Sequence, residues 1–167
     1  MLLPPQFVSR IGDLAGGTYT DDISDTFYRV DKVIQEAEEY IWTITDQYLM
    51  STYPLLREAL RRNVEVRNIE ARDWVVSPDI RQAWHTREAV HSIWAKARTK
   101  GLLKERMLHR LDIFLYMSEK EVAGVAFPLQ DGKFDYLGFA GTNERTLKWC
   151  SDLFLYYWGK ARSRQEA

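Results

Sequence analysis

Trp84, Arg87, His91, Trp94 and Arg98 follow one another at steps of three and four residues, so a helix over this stretch sets two indoles, two guanidinium groups and an imidazole on one line. Rings alternating with cations can enclose a planar or anionic molecule: the rings stack, and the guanidinium forks bond a carboxylate or phosphate. Arg106, His109 and Arg110 continue the cationic character of the region. The plainer reading is a helix whose tryptophans pack inward while Arg and His mark a solvated edge. A second group of polar side chains sits at the ends of two expected strands, with Asp46, Gln47 and Tyr48 after the first and Glu70, Arg72, Asp73 and Trp74 at the second. Such strand ends form the rim of a ligand site in open α/β sheets. They also serve plainer purposes: Asp46 caps a turn, and Arg72 pairs with Glu70 or Asp73. Asp46 with one of the other two carboxylates would make an acid/base pair only if one were desolvated. His85, His91 and His109 lack the spacing of ligands on a helix face, and the chain's only cysteine, Cys150, is near none of them in sequence; neither a metal nor a cofactor is expected.

The segment "KWCSDLFLYYW" (148–158) holds five aromatic side chains in eleven residues. Leu147, Cys150, Phe154, Tyr157 and Ala161 form a stripe at alternating steps of three and four, flanked by Trp149, Leu153 and Trp158. An apolar arc this broad is covered on two sides, which assigns Trp149, Phe154, Tyr157 and Trp158 to the core or to a subunit contact. Base stacking fits poorly, because stacking platforms are interleaved with Lys and Arg.

These groups need a scaffold. Residues 1–23 read as an arm in which "FVSRIGDL" forms a turn or two and "AGG" breaks it. Ser24 or Asp25 caps a helix with Phe27, Val30, Ile34, Ala37 and Ile41 on its buried stripe. "YIWTIT" (40–45) is a strand, a helix carrying Leu55, Leu56, Ala59 and Leu60 follows Pro54, and "VEVRNI" (64–69) alternates as a half-buried strand does. Strand, helix, strand reads as a parallel unit. A helix over about 78–100 is followed by strands at 111–117 and 121–127, a turn at Asp131-Gly132, a strand around "KFDYLGF" (133–139), and the last helix over about 143–162. The expected fold is a three-layer α/β domain: a mixed sheet of five or six strands, opened by the parallel unit and closed by antiparallel strands, with helices on both faces.

At 167 residues, 46% of them hydrophobic and 28% charged, the chain suits a single globular domain, 24–167 forming its body. The net charge of −1 is unevenly placed: −5 over 1–71, +5 over 72–110 and −1 over 111–167. This balance argues against gripping duplex DNA unaided. One cysteine gives no disulfide framework, which fits a reducing cytoplasm, and no stretch has the length and apolarity of a membrane span.

Taken in order, "LPPQFVSRIGDL", "EAEEYIWTITDQYL", "LREALRRNVEVRNI", "YMSEKEVAGVAFPLQDGKFDYLGF" and "WCSDLFLYYW" resemble the effector domain of archaeal winged-helix transcriptional regulators of the methanogenesis-regulator type. The resemblance implies a non-catalytic, ligand-sensing and dimerising domain. Its partners would be a second copy, an unidentified small-molecule effector for which an anion is one candidate, and DNA only through a winged helix that this chain lacks ahead of Leu2. It also implies half of a phospholipase-D-like fold. Catalysis on that fold needs a His nucleophile, a Lys two residues later and an Asp five beyond. His85 is followed by Arg87 and Ser92 at those positions, His91 has Ile93 at plus two, and His109 has Leu111 and then Tyr116. Binding without hydrolysis is therefore expected. The alternatives are a small hydrolase on the same scaffold and a stand-alone module that pairs with a separate DNA-binding protein. The effector, the genes controlled and the sign of regulation are not legible in the sequence.

Overall fold

The computed structural model describes residues 3–47, 51–71 and 93–163. In chain order these form α1 (Pro5–Val8), a 3-10 turn (Ile11–Gly16), β1 (Thr18–Thr20), α2 (Ile23–Glu36), β2 (Tyr40–Thr45), α3 (Thr52–Arg61) and β3 (Glu65–Ala71). After these come α4 (Ile93–Thr99), β4 (Leu103–Leu108), β5 (Phe114–Ser118), β6 (Val122–Ala126), β7 (Gly138–Gly141), α5 (Glu144–Lys160) and β8 (Arg162–Ser163). The strands make one sheet in the order β1-β7-β6-β5-β2-β3-β4-β8. β2, β3 and β4 run parallel, so their carboxyl ends share one edge; β5 pairs antiparallel with β2 and begins at that edge.

Alternation along the strands builds two cores. Ile41, Val66, Leu103 and Phe114 face α2, α3 and α4, whereas Ile44, Ile69, Leu115 and Met117 face α1, the 3-10 turn and α5. The second core is dominated by the aromatic helix. Trp149, Leu153 and Phe154 are fully buried, and each such side chain contributes roughly 1.5–3 kcal/mol by leaving water. No helix among the described residues is long and apolar enough to cross a membrane.

The mixed sheet with helices on both faces matches the sequence reading, but it has eight strands rather than five or six. β4 is the main addition. Its sequence, LKERML, puts three charged residues in a row and hides the strand; those charges pair with neighbours, Lys104 with Glu65 on β3 and Glu105 with Arg98 on α4. β7 lies later than the expected 133–139 strand, because Tyr136 adopts φ 61° and the Asp135 carboxylate accepts from the Leu137 N–H, which turns the chain instead of extending it. The cap of α2 is Asp22, whose side chain accepts from Ser24 N, not Ser24 or Asp25. Ile41 lies on β2 and not on the α2 stripe, and Val33 on α2 joins the buried residues of that helix instead. The opening arm contains its expected turns and is folded onto the body: Phe7 meets Trp149 and Tyr156 edge-on, its carbonyl accepts from Trp149 Nε1 at 3.2 Å, and β1 adds to β7.

The β5–β6 turn carries a pH-sensitive contact. Burial pushes the Glu119 carboxyl up, but the backbone N–H groups of Glu38 and Tyr40 donate to it at 2.8 and 3.2 Å, and the net result is a pKa below the ordinary value. A depressed folded-state pKa adds stability that is complete above the unfolded glutamate value of about 4.3 and is lost as pH falls through the folded value. The melting temperature should therefore drop more steeply below about pH 4.3 in the native chain than in Glu119→Gln, as read by thermal melts across an acid series.

Candidate functional site

The parallel strands present polar side chains on their α2–α3 side, where an apolar core would be cheaper. Register sets Thr43 beside Asn68 and Thr45 beside Glu70. Thr43 Oγ1 donates to Asn68 Oδ1 at 2.6 Å and Asn68 Nδ2 donates to Glu70 Oε1 at 2.7 Å, with Thr43 and Glu70 each only 3% exposed. Tyr116 on β5 lies opposite Thr43 and its hydroxyl meets the Thr52 side chain at the start of α3. Burial raises the Tyr116 phenol well above its usual value; Thr52 offsets part of this, and the charges of Glu70 and Asp31 add to it. Asp31 on α2 has an oxygen shielded from solvent with no hydrogen-bond partner among the described residues, and burial raises its carboxyl too. A buried polar atom without a donor is an unfilled acceptor facing this layer.

Just above, β2 ends in Thr45, which accepts from Gln47 N and donates to Gln47 O, turning the chain so that Asp46 stands at the edge. The Tyr136 hydroxyl donates to Asp46 Oδ1 at 2.9 Å, and the Gln47 side chain also reaches that hydroxyl. Tyr136 is held in its left-handed conformation by Thr26 Oγ1, which donates to the Tyr136 carbonyl, and by ring contacts with Phe27, Phe114 and Phe134. Burial first, and the Asp46 charge second, keep the Tyr136 phenol protonated, so it acts as a donor. Non-glycine residues at positive φ carry local strain that packing must over-determine. Tyr136→Phe should leave the fold intact, lower stability by about 1 kcal/mol in denaturant titrations, and free Asp46 for another donor.

Of the residues singled out in the sequence, Asp46 and Gln47 belong to this rim. Trp94 lies on α4 against α3, where Trp94 Nε1 donates to Tyr53 Oη at 2.7 Å and the rings tilt together at 4.9 Å. Its neighbour Arg98 gives both ends of its fork to Glu105, so that cation is already engaged. Arg110 is largely exposed and pairs with the buried Asp112 at the β5 end of the same edge. Arg106 departs from the expected basic line: alternation along β4 turns it to the opposite face, over Trp158. Tyr48, Arg72, Trp74, Trp84, Arg87 and His91 lie outside the described residues. In the last helix Trp149, Phe154 and Tyr157 are buried within the chain's own core, and Trp158 is half-buried beside Arg67 and Arg106.

Sequence reasoning missed Thr43, Asn68, Tyr116 and Tyr136. Asn68 had a signal: it shares strand parity with Val66 and so points to the core side. Tyr136 had none, since its contact with Asp46 spans ninety residues of chain.

Twenty-six chains of solved structures match this fold. TrmBL2, described as an archaeal chromatin protein with a novel mode of DNA binding, superposes with a TM-score of 0.65 at 15% identity, over 87% of this chain and 53% of that one. NucT from Helicobacter pylori gives 0.57 at 11% identity over 84% and 91% of the two chains. Nuc from Salmonella typhimurium, a phospholipase D family member, gives 0.53 at 12% identity over 82% and 89%. The fold is phospholipase-D-like. This chain spans about half the length of TrmBL2. The sequence matches no family model and no curated protein. His109 is exposed just past β4, and Tyr116 on β5 is buried and bonded to Thr52.

Proposed function

We propose that this chain is a non-catalytic, ligand-sensing and dimerising domain of an archaeal transcriptional regulator, built on the phospholipase-D-like scaffold. One observation carries the reading. The scaffold is present, yet no histidine in the sequence has a lysine at plus two, so the nucleophile and phosphate clamp of that chemistry do not occur together. The likeness to TrmBL2, an archaeal chromatin protein with a novel mode of DNA binding, supports a place beside a DNA-reading module. The effector would enter at the carboxyl edge of β2 and β3, where Asp46, Gln47 and Tyr136 offer an acceptor and donors; an effector that favours one dimer geometry shifts the population toward it. Arg110 supplies a cation at the same edge for an anionic ligand. The basic residues Arg72, Arg87 and His91, expected at such a site, complete the proposal from the sequence.

The test is mass spectrometry of compounds that copurify with the native chain and with Asp46→Asn. A compound retained by the first and lost at least tenfold by the second supports the sensor. The competing reading, a small hydrolase, draws support from the likeness to the phospholipase D family member Nuc. Turnover of a phosphodiester substrate abolished by Asp46→Asn would establish it and overturn the sensor. Light scattering of the intact chain tests dimerisation directly.

A further inference from the structure

On the face of the sheet away from the rim, α5 lies across β2, β5, β6 and β7, and only its end reaches over β3 and β4, through Trp158. Arg67 on β3 and Arg106 on β4 both project from this face. Their guanidinium carbons stand 5.6 and 4.5 Å from the centre of the Trp158 ring, whose stacking on Phe154 fixes it in place. Two cations stacked on one rigid ring are neighbours held in place before any ligand arrives.

Their hydrogen bonds are far from filled. Arg67 gives Nε and one Nη2 hydrogen to Glu65, and Arg106 gives one Nη1 hydrogen to the Trp158 carbonyl. A guanidinium carries five N–H donors, so most of the pair's donors are without a protein acceptor among the described residues. Lys104, opposite Arg67 in the ladder, also spends its charge on Glu65, at 2.5 Å. Three cations thus face a single carboxylate among the described residues, leaving a surplus of two positive charges at one spot.

We propose that Arg67 and Arg106, with Lys104 beside them, form a binding site for a phosphate monoester or free phosphate. A phosphomonoester carries a charge of about −1.5 to −2 near neutral pH and three strong acceptor oxygens, which matches both the surplus and the paired forks; a phosphodiester or carboxylate carries one charge and matches less well. The site is independent of the effector rim, because it lies on the other face of the sheet.

The probe is inorganic phosphate, titrated into the 167-residue chain at constant ionic strength while the Nε–Hε resonances of the arginines are followed by NMR. Arg67 and Arg106 should shift together and saturably. Arg106→Gln should weaken binding at least tenfold, Arg106→Lys should restore only part because it keeps charge without the fork, and dimethyl phosphate should bind at least tenfold more weakly than phosphate. Lys148→Gln, a change on the outer side of α5, should leave binding unaltered. Arginine resonances that ignore phosphate, equal affinity in Arg106→Gln, or equal binding of the diester would each overturn the proposal. Should Arg106→Gln fail to melt cooperatively, Lys104→Gln at an exposed position takes its place, with a several-fold loss expected and an unchanged affinity counting against the site.

Discussion

An aspartate in place of Phe154 is expected to leave the chain unfolded rather than merely monomeric. Phe154 has no exposed surface and lies between two indoles, stacked on Trp42 at 4.7 Å and on Trp158 at 5.6 Å. Truncating a buried phenylalanine costs about 3–5 kcal/mol. The carboxylate would in addition be stranded without a partner beneath α5, a penalty of several kcal/mol against a total stability of about 5–15 kcal/mol for a typical domain. Far-UV circular dichroism should show lost secondary structure, and sedimentation should show an expanded or aggregated species. A folded Phe154→Asp chain with an unchanged melting point and an altered oligomeric state would mean that the residue serves a subunit contact instead.

Gly138→Ala is the second large effect. A Cβ on Gly138 would lie 2.0 Å from the Val125 carbonyl oxygen and 2.8 Å from its carbon, and both are backbone atoms that cannot swing aside. β7 would have to leave β6, and β1 pairs with β7, so the disturbance extends to the sheet's edge. Overpacking of this kind costs about 3 kcal/mol or more, lowering the melting temperature by about 6–12 °C in a chain of this size. Gly159→Ala is the natural control. Its Cβ meets nothing within 4 Å and it sits in α5, so removing a helical glycine should raise stability by up to about 1 kcal/mol. Equal melting points for the two variants would contradict the close approach at β6–β7.

The elements that were legible in the sequence are those in which one physical signal dominates. "YIWTIT" became β2 with its bounds unchanged, because β-branched and aromatic residues there have no competing period, and the three-four stripe of the last helix became α5 within two residues at its end. β4 was hidden because its stabilisation comes from partners on β3 and α4 that a linear reading does not bring together. The candidate site was half visible. Asp46 and Gln47 stand out as polar residues ending a strand, and Asn68 by parity, but Tyr136 enters only through a backbone twist that places a phenol beside a carboxylate from far along the chain.

The outermost strands of the sheet carry a further consequence. Among the described residues β1 has three residues and β8 two, and β4 carries Lys104 and Glu105 next to the positions that β8 pairs. A passing extended chain finds almost no bare ladder to extend, and what it finds is charged. The architecture is in this sense protected against runaway fibril growth, and concentrated solutions of the chain should stay clear where a longer, apolar border would seed deposits.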